Sequence, residues 1–202
     1  MTVTELVDQL VLRAGNRSNQ ATILQAELED ALINLENSVF HPWFLLSGRE
    51  TNTTTAQEER VKLPANYIAE YEEGALWIVI DGQKIPLTKV LLEEIQECEE
   101  VSDQPYCYAI TGDFIRLYPT PDAVYTLEML YYKKSGALAD GNVWLKYAPH
   151  YLMYQALETF AETTRDKKLL AIANKKKVER YNDLLARHTE VQMTNRDLEK
   201  GD

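Results

Sequence analysis

The stretch "LLEEIQECEE" (residues 91–100) holds the densest set of groups in this sequence that could do chemistry. On a helix, Glu94 and Glu97 stand three apart on one face, as two-carboxylate acid–base catalysis or a magnesium site requires. A run of like charges is far more often a solvated helix face. Cys98 sits among carboxylates and no cations, so nothing there favours a thiolate nucleophile. His41, His150 and His188 are the only histidines, and none has a partner at a metal spacing such as HxxxH. His41 before Pro42 and His150 after Pro149 read as junction residues. The sequence contains no GxxxxGK[ST], no GxGxxG after a strand and no GxSxG. These patterns predict no catalytic residue, no cofactor and no metal site.

One basic run remains, "NKKKVERYNDLLARH" (residues 174–188). Lys175, Lys176 and Lys177 spread over most of a helical turn, with Glu179 and Asp183 close by, a pattern that often solvates a helix or pairs with its own acids. A DNA-binding module acting through this helix is the alternative reading; an acidic partner protein fits a basic face at least as well. The net charge of −11 is unevenly placed. Residues 1–164 carry 11 Lys and Arg against 25 Asp and Glu, and residues 165–202 carry 10 against 7. So acidic a body disfavours general nucleic-acid binding.

At 202 residues the chain is one large domain or two intimately joined ones. It has no run of about 18 apolar residues to cross a bilayer. Its first residues lack the basic stretch of a signal peptide, and Cys98 and Cys107 read as reduced thiols of a cytosolic chain. Thr2 with Glu5 predicts a capping box, with Leu6, Leu10 and Val11 following and Gly15-Asn16 as the stop. A second helix is expected from about Asn19 to Ser38, with Leu24, Leu28, Ala31, Leu32, Leu35 and Val39 on one stripe. Trp43 to Leu46 should pack where helix meets sheet. "ETNTTTAQEERVKLP" reads as an exposed hairpin, edge strand or arm. Asp81-Gly82 marks a two-residue hairpin turn, and Thr88 a cap for a short helix turning Leu91, Leu92 and Ile95 inward.

Three strands follow, the last placing Tyr125, Leu127, Met129 and Tyr131 on one face and Val124, Thr126, Glu128, Leu130 and Tyr132 on the other. Pro149 suits a first helical turn, and two stripes of that helix, one through Leu152 and Phe160 and one through Tyr147, Tyr151 and Tyr154, predict burial from two sides. A final helix from about Asp166 past His188 should turn Leu169, Leu170, Ile172, Ala173, Val178, Tyr181 and Leu185 inward, and the tail from Glu190 should be frayed or extended. The fold class is therefore α+β: residues 1–47 and 145–202 form a helical bundle, and residues 48–144 an inserted small antiparallel β lobe with one short acidic helix.

The order of these pieces resembles the bacteriophage head-to-tail (portal) adaptor family, in a layout like its tail tubular protein A type. The resemblance rests on Pro119 and Pro121, the returning strand with Tyr125, Leu127, Tyr131 and Tyr132, the pair Trp144-Leu145, and the helix start at Ala148, Pro149, Tyr154, Ala156 and Leu157. "LPANY" (residues 63–67) resembles the family's LP-x-D-[FY] step, with Asn66 where an acid is usual. The resemblance implies a non-enzymatic virion protein, made in the host bacterial cytoplasm and placed at the head–tail junction. It implies a ring of twelve copies beneath the portal, helices towards the portal and sheet lobe towards the tail. The ring would extend the DNA channel and seat the tail. Its implied partners are portal protein, a tail or nozzle protein, further copies of itself, and double-stranded DNA in non-specific passage, with no membrane. An acidic wall suits such passage because it repels phosphate. Tyr147, Tyr151, Tyr154, Lys175, Lys176, Lys177, Met193 and Arg196 become the candidate subunit or portal interface. Tyr125, Leu127, Met129, Tyr131, Tyr132 and Trp144 become the candidate sheet–bundle joint.

Overall fold

A computed structural model of the chain describes residues 1–72 and 74–199, with the side chains of Ser18 and of residues 194–199 outside that description. Its helices are α1 (Val3–Arg13), α2 (Ala21–Glu36), α3 (Leu92–Gln96), α4 (Val143–Tyr147), α5 (Pro149–Thr163) and α6 (Lys167–Glu199). The strands are β1 (Glu50–Thr53), β2 (Arg60–Lys62), β3 (Tyr67–Glu70), β4 (Leu76–Ile80), β5 (Gln83–Pro86) and β6 (Thr88–Lys89). They continue with β7 (Ser102–Asp103), β8 (Cys107–Thr111), β9 (Phe114–Tyr118), β10 (Thr120–Pro121), β11 (Thr126–Met129) and β12 (Tyr131–Lys133). The fold is α+β. The chain divides into a helical unit, Met1–Leu45 with Lys134–Asp202, and a sheet unit, Leu46–Lys133. Residues 134–144, expected in the lobe, fall in the helical unit. There the buried Glu36 accepts the Ser135 backbone N–H at 2.7 Å, and Trp144 is buried.

In the helical unit, α1 opens on a capping box. Thr2 Oγ1 accepts from the Glu5 N–H at 3.1 Å, and Glu5 accepts from the Thr2 N–H at 2.9 Å, each satisfying a donor that the helix start leaves free. Gly15 and Asn16 end it with φ of +88° and +58°. After a 3₁₀ turn at Ser18–Gln20, α2 buries Leu24, Leu28, Ala31, Leu32 and Leu35, each buried leucine contributing about 1.5–3 kcal/mol. Val39 lies beyond the end of α2 and is fully exposed, so it does not extend the stripe. Asn142 caps α4, accepting from the Trp144 N–H at 2.9 Å while donating to Ser135 Oγ and the Ala137 carbonyl.

Helix α5 packs against α1, α2, α4 and α6. It buries Leu152, Met153, Tyr154, Ala156, Leu157, Phe160 and Ala161. The stripe through Leu152 and Phe160 is thus covered within its own unit, whereas of the second stripe Tyr154 is buried and Tyr147 and Tyr151 stay half-buried. Helix α6 keeps Leu169, Ala173 and Leu184 buried, whereas Ile172, Val178 and Leu185 are exposed, contrary to the expected inner face. The tail is helical too: α6 runs 33 residues, about 50 Å, to Glu199.

In the sheet unit, two four-stranded sheets carry the core, in the orders β1-β11-β4-β5 and β2-β9-β8-β6. Leu76, Ile78, Leu127 and Met129 of the first meet Val61, Tyr108, Ile115 and Leu117 of the second in one apolar cluster that also holds Tyr131. Antiparallel pairs dominate, with parallel exceptions at β6–β8 and β7–β10. The Asp81-Gly82 turn joins β4 to β5 with φ of +51° and +79°, the positive values its residues were expected to adopt. The threonine run is no free arm: β1 is an edge strand paired with β11. Thr54 beyond it is buried, donating its hydroxyl to the Ala123 carbonyl and accepting the Tyr125 N–H. Thr88 caps nothing, because it lies in β6 against β8. Helix α3 starts at Leu92, Leu91 is exposed, and only Ile95 is fully buried.

Candidate functional site

The groups singled out for chemistry are occupied locally. Glu94 accepts the Leu91 backbone N–H at 2.8 Å, closing the start of α3, and the Cys98 thiol donates to the Glu94 carbonyl. His188 Nδ1 accepts the Trp43 N–H at 3.1 Å, and burial holds its pKa below the usual histidine value. Burial lowers His41 in the same way. His150 is lowered by burial first, then by the positive charges of Arg180 and Arg13. Among the described residues, no group of three or more His, Cys, Asp or Glu is placed to hold a metal ion, and no helix is long and apolar enough to cross a membrane.

The candidate interface tyrosines divide by environment. Tyr147 stacks on Phe44 with ring centres 5.3 Å apart, and Phe44 meets Trp144 edge-on at 5.0 Å. Trp43, Phe44 and Leu45 form a 3₁₀ turn. Tyr151 lies 5.8 Å from Tyr181 of α6, and burial, then Tyr181 and Glu158, raise its hydroxyl pKa. Tyr154 is buried beneath the Arg13 guanidinium, 5.3 Å above its ring. Tyr147 and Tyr151, with His150, Arg180, Leu184 and Arg187, line a shallow hollow of about 150 Å³ at the start of α5. Asp183 pairs with Arg180 there at 2.9 Å, which reduces the positive charge of the hollow.

The lysine run is largely neutralised within the helical unit. Lys176 pairs with Glu179 at 2.7 Å, and Lys177 reaches across to Glu158 of α5. Lys175 is exposed and has no ion-pair partner among the described residues. Met193 is exposed late on α6, and the side chain of Arg196 lies outside the described residues.

Of the proposed joint residues, Leu127, Met129 and Tyr131 are buried in the core of the sheet unit, with Tyr125 half-buried against it. Tyr132 is buried beside Tyr71, and Trp144 belongs to the core of the helical unit. The returning strand is in fact two, since β11 pairs with β1 and β4 while β12 pairs with β3. Around Tyr131 the unusual Asn66 finds its reason. The Tyr131 hydroxyl donates to the Glu50 carboxylate, and the Asn66 carboxamide lies 2.9 Å from the same oxygen. The contacting atom is the amide oxygen Oδ1, so Asn66 shares this hydroxyl with Glu50 as a neutral acceptor, where a second carboxylate would add a like charge. Burial, then Glu50, push the Tyr131 pKa up. A second such cluster has Glu70 accepting from the Tyr108 hydroxyl and from Lys89, with Tyr67 pushed up to about 12 by burial and by Glu70.

Sequence reading missed the outward faces of the long helices. Ile23, Ala26, Asp30 and Ile33 of α2 are all exposed, and so are Ala171, Lys175, Val178, Asn182 and Leu185 of α6. Their spacing was the available signal: each set recurs in steps of three and four residues, as the buried stripes do.

The family model described as SU10 adaptor protein matches residues 1–197, and the chain belongs to this family of phage head-to-tail adaptors. It is a phage adaptor protein, of a structural and not an enzymatic class, and such a protein works against other virion proteins. No curated protein sequence matches the chain.

Proposed function

We propose that this chain forms a ring of twelve copies beneath the portal at the head–tail junction, extends the DNA channel and seats the tail or nozzle protein. The observation that carries the reading is the family match over residues 1–197; the likeness to the tail tubular protein A type is part of the proposal. The chain is made in the host bacterial cytoplasm and ends in the virion. Double-stranded DNA meets it only in passage, past a wall whose net charge of −11 repels phosphate. A portal-docking role for Met193 and Arg196 is supported by the length of α6, which runs on to Glu199, about 15 residues past Leu184, the last leucine buried among the described side chains. The paired states of Lys176 and Lys177 argue against a DNA-binding module.

The test mixes the chain with portal rings of its phage and images the product by electron cryo-microscopy. A single collar of copies on the portal is the expected result, and loss of that collar after removal of residues 191–202 is expected for the docking role. A chain that stays monomeric in the presence of portal rings sinks the reading.

A further inference from the structure

The helical unit leaves two seams uncovered. On α2, Ile23, Ala26, Asp30 and Ile33 fall at i, i+3, i+7 and i+10, and every one is exposed, Ile23 at 50% and Ile33 at 56%. On α6, Ala171, Lys175, Val178, Asn182 and Leu185 fall at i, i+4, i+7, i+11 and i+14, with Val178 at 54%. Alternating steps of three and four are the spacing of a helix seam that packs on another helix. The inner stripes of both helices are already buried, so these outer stripes are surplus to the fold of one copy.

Charge says what covers them. Helix α2 carries Glu27, Glu29, Asp30 and Glu36 with no Lys or Arg, whereas α6 from Lys167 to Arg187 carries seven Lys and Arg against two Asp and Glu. Asp30 sits mid-seam on α2 and Lys175 on the α6 seam. Neither has an ion-pair partner among the described residues. Glu27 is raised by burial, then by Asp30, so α2 holds unrelieved negative charge.

We infer that the seam of α2 on one copy packs against the seam of α6 on the next, Ile23, Ala26 and Ile33 against Ala171, Val178 and Leu185, with Asp30 facing Lys175. Two different faces joined head to tail make a heterologous contact, which closes into a ring when the rotation per copy allows. The inference rests on the ring reading above and adds the contact that builds the ring. It leaves the hollow at the start of α5 and the end of α6 free for other partners.

The test uses Asp30→Lys and Lys175→Glu, made singly, combined in one chain, and as a mixture of the two single variants. Circular dichroism first checks that each is folded, and portal-bound rings are then counted by cryo-microscopy. Each single variant alone should lower ring occupancy about tenfold, because every contact in the ring then meets like charges. The double variant should restore it. The mixture should restore it only by alternating the two chains, and so only in rings of even number. Single variants that assemble like the unmodified chain, or a loss that neither combination repairs, overturn the inference while the ring reading stands. Absence of rings from the unmodified chain on portal removes both.

Discussion

Replacing Asn66 by Asp tests the account of the Tyr131 cluster and of the departure from the LP-x-D-[FY] step. The substitution trades the neutral amide oxygen that meets the Tyr131 hydroxyl for a carboxylate that shares this hydroxyl with Glu50. Two carboxylates on one hydroxyl lie roughly 5 Å apart, where like charges repel by about 1 kcal/mol in water and about 3 kcal/mol at an effective dielectric of 20. The Glu50 side chain is 41% exposed and pairs with Lys133 at 3.5 Å, so screening keeps the penalty near the lower figure, about 1–1.5 kcal/mol. Amide hydrogen exchange in β11 and β12 reads the stability of the sheet unit and should show this loss at pH 7. The repulsion raises the introduced carboxyl in the folded state above its unfolded value of about 3.9. Its penalty should therefore vanish below about pH 4 and reach full size once pH passes the raised pKa. In a Glu50→Gln background, Asn66→Asp should cost little at any pH. A penalty that ignores pH, or that persists beside Glu50→Gln, would refute the electrostatic account.

Other outcomes follow from the same geometry. Asn142→Ala removes the α4 cap and two donated hydrogen bonds at a buried site, so urea unfolding should show a loss of about 2–3 kcal/mol, and Asn142→Asp a smaller one, since it keeps the capping oxygen. His41, His150 and His188 all have folded pKa values below the unfolded one, so their contribution is complete above about pH 6.5 and is lost as pH falls towards the lowered values. Thermal melts should fall with acid below that point, by up to about 1.4 kcal/mol per pH unit per group, with a shallower slope in His188→Gln. Retention on double-stranded DNA at about 50 mM salt should be weak and change less than twofold when Lys175, Lys176 and Lys177 all become Gln. Steep, salt-sensitive retention lost in that variant would make the run a DNA contact.

The features legible in the sequence were those fixed within one turn of chain. The Thr2–Glu5 capping box, the Gly15-Asn16 stop and the Asp81-Gly82 hairpin each depend on residues a few positions apart, and each stands as read. Pairings set by distant partners were not legible. Nothing local tells Thr88 that β8 will take it into a strand, or splits the returning strand at Leu130 between β11 and β12. Helix α6 was misread because adjacent leucines satisfy either face: Leu184 points inward and Leu185 outward, and only the position of α5 decides. The family was legible as an order of pieces, but the spacing of Tyr147, Tyr151 and Tyr154 does not say that the unit buries only the last of them, because that depends on where α1 and α6 pack. Glu50 beside Tyr131 lies 81 residues away in sequence, so the reason for Asn66 needed the fold.

The sheet unit leaves and rejoins the chain at neighbouring points. Leu46 bridges Tyr132, and the Ser47 N–H donates to the Tyr131 carbonyl at 2.8 Å, so the insertion is pinned to itself within two residues of each end. A segment whose ends are clasped in this way can be lengthened, shortened or exchanged for another without spreading the two helical segments it interrupts. The clasp makes the lobe a cassette, open to replacement while the helical segments on either side keep their sequence.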